Sequence, residues 1–165
     1  MEKQEEMFEK FSEKVNTKED LSVLFDQIEE AVRWVDKGGE VPLSEKISGA
    51  TSEEFRLIIA DLEEEGTIPT NLEGQAAFFK RLKKYLEGLP CVKITLAFAP
   101  SKEFLADLAS LLQKEVGQKA ILEIIIKEAL VGGVIVEYNG EYRDYSLARK
   151  LDEVIESSKL KVLVS

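Results

Sequence analysis

Histidine is missing from all 165 residues, and cysteine occurs once, at Cys91. The first absence removes the Ser-His-Asp and Cys-His forms of nucleophilic catalysis, together with the commonest zinc ligand. The second excludes an intrachain disulfide and any zinc site built on several cysteines. Phosphate-cradling patterns are lacking too: neither G-x-x-x-x-G-K-[ST] nor G-x-G-x-x-G occurs. Gly132-Gly133 precedes a strand pattern, so it offers no helix N-terminus to an anion. Long apolar runs are scarce as well. The richest region, Ala120 to Tyr138, is interrupted by Glu123, Lys127, Glu128 and Glu137, and no bilayer span is expected. The opening MEKQEEMFEKF is acidic without an apolar stretch, so no secretory signal is expected. These absences together predict a cytosolic, soluble chain with no cofactor, no metal and no catalytic residues.

Positive charge is also in short supply. Lys and Arg number 22 against 32 Asp and Glu, a formal net charge of −10. Nucleic acid requires clustered cations to displace counterions, so it is excluded as a partner, and so is an anionic membrane surface. The imbalance is uneven. Residues 1–90 carry 12 basic and 21 acidic side chains, whereas residues 91–165 carry 10 and 11.

What is present is apolar periodicity: 44% of the residues are hydrophobic, enough for one domain or two small ones. In the first 90 residues the period is helical. Met7, Phe8, Phe11 and Val15 form one stripe. Thr17-Lys18-Glu19-Asp20 then opens a second helix in the manner of a capping box, with Leu21, Leu24, Phe25, Ile28, Val32 and Val35 as its stripe and Gly38-Gly39 as its stop. Trp34, near its end, reads as packing. A connection containing Pro42 leads to Thr51-Ser52-Glu53-Glu54 and a third helix with Phe55, Ile58, Ile59 and Leu62 inward. Glu63-Glu64-Glu65 at its end fans around the axis and reads as a solvated face, not a metal site. A fourth helix spans about 72–87, and its Lys80, Arg81, Lys83 and Lys84 read as a solvated face partly neutralising acidic neighbours.

Gly88-Leu89-Pro90 marks the change from helical to strand period. Val92, Ile94, Leu96 and Phe98 alternate with polar or small residues, predicting a half-buried strand. Pro100-Ser101 begins a helix with Phe104, Leu105, Leu108, Leu111 and Leu112 as its stripe, ended by Gly117. Ala120 to Lys127 is a β-branched strand whose Leu122, Ile124 and Ile126 face the same core. Val134 to Tyr138, the Asn139-Gly140 turn and Glu141 to Asp144 form a hairpin, because Asn-Gly supplies both positive-φ positions of a two-residue turn. A closing helix carries Leu147, Leu151, Val154 and Ile155, and Leu160 to Val164 form an extended tail. The expected fold class is α+β: an acidic helical bundle over residues 1–90, then a small α/β domain over 91–165, ordered strand, helix, strand, hairpin, helix.

The closing stretch holds the most distinctive residues. Asp144 or Ser146 can cap the last helix, and the sequence leaves open which. Asp144, Ser146 and Arg149 are better read as a cap and an ion pair one turn in than as a catalytic trio. Leu130, Gly132 and Gly133, then a hairpin, then Asp144, Ser146, Arg149 and Leu151, resemble the closing motif of the δ subunit of F-type ATP synthases, whose mitochondrial equivalent is the oligomycin-sensitivity-conferring protein. The order of elements over residues 92–157 is similar to that family's C-terminal domain. Lys127, Glu128 and Ala129 stand where the family has acidic-Pro-Ser, so the turn there is expected to be built differently. The resemblance implies a non-catalytic stator component in the peripheral stalk, peripheral to the membrane through its complex. The helical domain would bind an α-subunit N-terminal segment, and the C-terminal domain the b-type stalk subunits. The family's N-terminal domain is a six-helix bundle, whereas four helices are expected here.

Two other readings compete. The E subunit of V- or A-type ATPase stalks also has a Gly-Gly strand and an R-L helix near its end. It has N-T-L where this chain has Asp144-Tyr145-Ser146-Leu147, and a long coiled-coil N-terminus at odds with the short, glycine-broken helices here. A small-molecule-binding or catalytic α/β domain with a helical cap is the third, and the missing histidine and phosphate loop disfavour it.

Overall fold

The computed structural model describes residues 2–37, 39, 41–147 and 149–151. Two compact units divide the chain, one up to Leu89 and one from Pro90 onward.

The first unit is helical. Its elements are α1 (Glu2–Ser12), α2 (Lys18–Trp34), α3 (Leu43–Lys46), α4 (Glu53–Glu64) and α5 (Leu72–Glu87). The starts follow from short polar caps. Thr17 Oγ1 accepts from the Asp20 amide while Asp20 returns a bond to the Thr17 amide, which satisfies two otherwise orphaned donors. Ser52 Oγ and Asn71 Oδ1 each accept one such amide bond, from Phe55 and Gly74. Inside, Phe8, Phe11, Phe55, Phe78 and Phe79 meet at centroid separations between 5.3 Å (Phe78–Phe79) and 6.5 Å (Phe55–Phe79). All five rings are buried, together with Ile28, Ile59, Leu62 and Leu82.

The helix α3 was not expected, because residues 40–50 read as a plain connection. It is one turn long and held by charge at both ends. Glu63 of α4 accepts from the amides of Leu43 and Ser44. Lys46, itself buried, donates its Nζ to the Val35 carbonyl beyond the end of α2, at 2.9 Å. The acidic triplet is therefore not one solvated face. Glu63 is tied to α3, Glu65 pairs with Lys10 at 2.8 Å, and Glu64 is exposed. Trp34 is half-buried and donates its Nε1 to Glu30.

The second unit carries a four-stranded sheet in the order β2-β1-β3-β4, with β1 (Cys91–Leu96), β2 (Ile121–Ile126), β3 (Val134–Tyr138) and β4 (Glu141–Asp144). β1 runs parallel to β2, joined by the crossover helix α6 (Lys102–Val116), and antiparallel to β3. Val92, Ile94, Leu96, Ala109, Ala120 and Leu122 form the core, with Leu105, Leu108 and Leu112 of α6 against it. The α+β class thus stands, with a helix on one sheet face.

Three details differ from the periodicity. β1 ends at Leu96, which leaves Phe98 exposed, and Ile126 at the end of β2 is exposed as well. On α6 the stripe is narrower than its leucines suggest: Phe104 and Leu111 lie outside it, while Ala109 lies within. A helix on a sheet buries only the strip beneath its axis, and apolar residues at the margins stay open. Val154, Ile155 and the segment Leu160 to Val164 fall outside the described residues.

Candidate functional site

The motif residues of the second unit converge on one corner, where the loop after β2 passes the start of the closing helix. After β2, a 3-10 turn at Glu128–Leu130 buries Leu130. Val131 follows at φ 61° and ψ −33°. The Gly132 amide donates to the Leu130 carbonyl at 2.6 Å, which closes a γ-turn around Val131. Positive φ in a β-branched residue is a steric outlier.

The two glycines then run beside Tyr145–Leu147. Leu147 donates its amide to the Gly132 carbonyl at 2.9 Å, and Tyr145 donates to Val134 at 2.8 Å. A Cβ on Gly133, which sits at φ +83°, would lie 2.3 Å from the Tyr145 carbonyl oxygen. One on Gly132 would lie 2.8 Å from Leu147 Cδ1. Only glycine lets these two backbone segments touch at Gly133.

The open choice of cap resolves as a relay. Asp144 Oδ1 accepts from the Ser146 amide at 2.8 Å, and Ser146 Oγ accepts from the Arg149 amide at 3.3 Å. Ser146 is therefore the N-cap, and Asp144 orients it. Hydrogen bonds from Ser146 hold the Asp144 carboxyl below its ordinary value against the opposing effect of burial, with lesser help from the positive charges of Arg149 and Lys127. Arg149 reaches the Asp144 carbonyl oxygen at 3.5 Å. Leu151, the last motif residue, is 52% exposed and Leu147 47%, so this start of the helix does not bury the stripe its sequence suggests. Leu130, Gly132, Gly133, Asp144, Ser146 and Arg149 are brought together as a structural joint; Leu151 stands apart on the surface.

Sequence reasoning missed the other half of the joint, Val131, Tyr145 and Leu147. Spacing alone could not reveal it, since the contact is between backbones. It also missed a hollow of about 420 Å³ on the α6 face of the sheet, bordered by Leu111, Leu112, Val136, Tyr138, Arg143 and Tyr145. Among the described residues, no group of three or more His, Cys, Asp or Glu is placed to hold a metal ion, and no helix is long and apolar enough to cross a membrane. Among the described residues the arrangement offers apolar hollows and a closely packed corner.

Comparison with known proteins agrees in kind. The family model for the ATP synthase delta (OSCP) subunit matches residues 1–157. The ATP synthase subunit delta of Cupriavidus taiwanensis is 33% identical over 116 residues, which are 70% of this chain and 63% of that protein. The protein of the same name from Malacoplasma penetrans is 27% identical over 120 residues, 71% of this chain and 62% of the relative. The matched stretch thus spans under two thirds of these curated relatives' length. A chain of the Polytomella F-ATP synthase superposes with a TM-score of 0.39 at 24% identity, covering 47% of this chain and 99% of its own. One from the Toxoplasma gondii mitochondrial ATP synthase gives 0.35 at 14% identity, covering 95% and 97%. Those two superpositions are too loose to bear on the assignment, which rests on the sequence match across nearly the whole chain. The chain belongs to the ATP synthase delta (OSCP) subunit family.

Proposed function

We propose that this chain is a non-catalytic component of the peripheral stalk of a rotary F-type ATP synthase, joining the catalytic head to the b-type stalk subunits. The observation that carries the reading is the family match over residues 1–157. A tether of this kind resists torque through packed interfaces and needs no reacting groups. In this reading the helical unit receives the amino-terminal segment of an α subunit, and the second unit receives the distal helices of the b-type subunits. Helix-in-groove recognition suits both, since each unit has open apolar hollows flanked by charged side chains. The chain is peripheral to the membrane through that complex. The Gly132-Gly133 and Asp144-to-Arg149 joint acts indirectly, fixing the closing helix against the sheet.

The test is a reconstituted pull-down with purified chain, b-type stalk subunit and α3β3 head. The full chain is expected to retain both partners and to bridge them. A folded chain that retains neither would overturn the proposal.

A further inference from the structure

We infer that Asn139-Gly140 is a site of spontaneous modification: the turn converts to a succinimide and then to isoaspartate, which lengthens the hairpin's main chain and loosens the joint at its far end. The chain holds three asparagines. Asn16 and Asn71 each stand just ahead of a helix, where the next nitrogen is hindered. The Thr17 nitrogen belongs to a β-branched residue and donates to Asp20 at 3.0 Å. The Leu72 nitrogen belongs to a bulky residue, and Asn71 Oδ1 is already taken by the Gly74 amide at 2.6 Å. Asn139 is followed by glycine, whose nitrogen no side chain shields. Both turn residues are exposed, at φ 50° and 80°, and a Cβ on Gly140 would meet nothing within 4 Å. Among the described residues nothing hydrogen-bonds the Gly140 amide or the Asn139 side chain.

The chemistry needs only water. The Gly140 nitrogen, its proton taken by hydroxide, attacks Asn139 Cγ; the N–Cγ bond forms, the Cγ–Nδ2 bond breaks, and ammonia leaves with a proton from water. Water then opens the five-membered ring on one of two sides. Cleavage at Cγ leaves aspartate at position 139. Cleavage at the main-chain carbonyl leaves isoaspartate, with the main chain routed through the side chain and longer by one methylene. The ring closes only when the Asn139 main chain turns to face its own side chain, so the rate follows opening of this edge hairpin. The strands have no slack for the extra methylene. Tyr138 pairs with Glu141 across a two-residue loop, and loop length fixes register. β4 is four residues long and the last strand of the sheet, so a slip at the turn reaches Asp144, opposite Ile135. Asp144 orients the Ser146 cap, and Tyr145 and Leu147 bond back to Val134 and Gly132. Slow covalent change at the turn thus governs how firmly the start of the closing helix is seated.

The experiment ages the full chain at physiological temperature and mildly alkaline pH. Peptide mass mapping, methyl transfer by protein isoaspartyl methyltransferase and the melting temperature follow it. The peptide holding Asn139 is expected to gain about 1 Da, at least about tenfold faster than those holding Asn16 or Asn71, and to accept methyl groups. The aged chain should melt about 4 °C lower. Asn139→Gly keeps a turn-forming pair but has no carboxamide, and it should show none of these changes. Asn139→Asp supplies the charge without the longer main chain, and when fresh it should melt within about 1 °C of the native chain. No mass gain at Asn139, while a free peptide of residues 134–144 converts completely, overturns the inference. So does isoaspartate that leaves the melting temperature unchanged, or a loss as large in fresh Asn139→Asp.

Discussion

Glu63 caps α3 through Ser44: its Oε2 accepts from the Ser44 hydroxyl at 2.6 Å and from the Ser44 amide at 3.2 Å, across nineteen residues of chain. Removing the carboxylate leaves two amides and a hydroxyl at a partly buried site without acceptors. Glu63→Ala is expected to cost about 1–3 kcal/mol, whereas Glu64→Ala, one residue on and exposed, should stay within about 0.5 kcal/mol. Urea unfolding of both variants checks this, and equal midpoints would show that the cap contributes nothing.

Gly133 and Gly140 separate two effects that glycine substitutions usually confound. Both have positive φ, but a Cβ at Gly140 meets open space while one at Gly133 meets the Tyr145 carbonyl. Gly140→Ala is expected to cost about 1–2 kcal/mol, from backbone strain alone. Gly133→Val should cost about 3 kcal/mol or more, because the Tyr145–Leu147 segment must also retreat. Thermal melts of the full chain measure both, and the prediction fails if the two losses match.

Val131 stores strain on the surface. It is 69% exposed, so little packing is lost if its side chain is removed. Val131→Gly is expected to raise stability by about 0.5–1 kcal/mol, the relief of the γ-turn exceeding the entropy that glycine costs. A lowered melting temperature would contradict it.

The Asp144 relay sets a sign for acid behaviour. The folded carboxyl lies below its unfolded value of 3.8, so its contribution is complete above that value and is lost as pH falls through the folded one. The stability difference between the native chain and Asp144→Ala should therefore be constant at neutral pH and shrink below about pH 4. A difference that instead grew on acidification would refute the assignment.

The boundary at Gly88 to Cys91 gives a further prediction. We propose that the units separate there, and limited proteolysis should release a helical fragment and a mixed fragment by cleavage near Leu89. A resistant chain with no preferred cut at this point would argue that the units do not separate.

Much of this was legible from the residues alone, for definite reasons. Thr17 and Asp20, Ser52 and Ser101 announce helix starts because capping is local chemistry. Asn139-Gly140 announces its turn because few residues accept two positive φ angles in a row. The one-turn helix α3 was invisible, since Glu63 and Lys46 hold it from far along the chain. Val32 and Leu111 sit at helical spacing with buried neighbours, yet they border hollows. Periodicity identifies a stripe, but which element stops short of covering its edge is decided by tertiary packing. The closing motif was readable as an ordered set of residues; that it is a joint between two backbones, with Val131 strained beside it, was not.

The order β2-β1-β3-β4 has a consequence for the chain during synthesis. β1 leaves the ribosome before either of its neighbours exists, although it will lie between them. It must wait through the making of α6 for one partner and through the loop at Val131 for the other, with both hydrogen-bonding edges open. A nascent chain that stalled before Val134 would carry the apolar Val92, Ile94 and Leu96 on a strand with one side unpaired, a template for association with other chains. The helical unit, up to Leu89, precedes it and is complete in sequence before β1 is made. Translation speed across residues 97–133 thus becomes a determinant of yield for this half of the molecule, independent of its final stability.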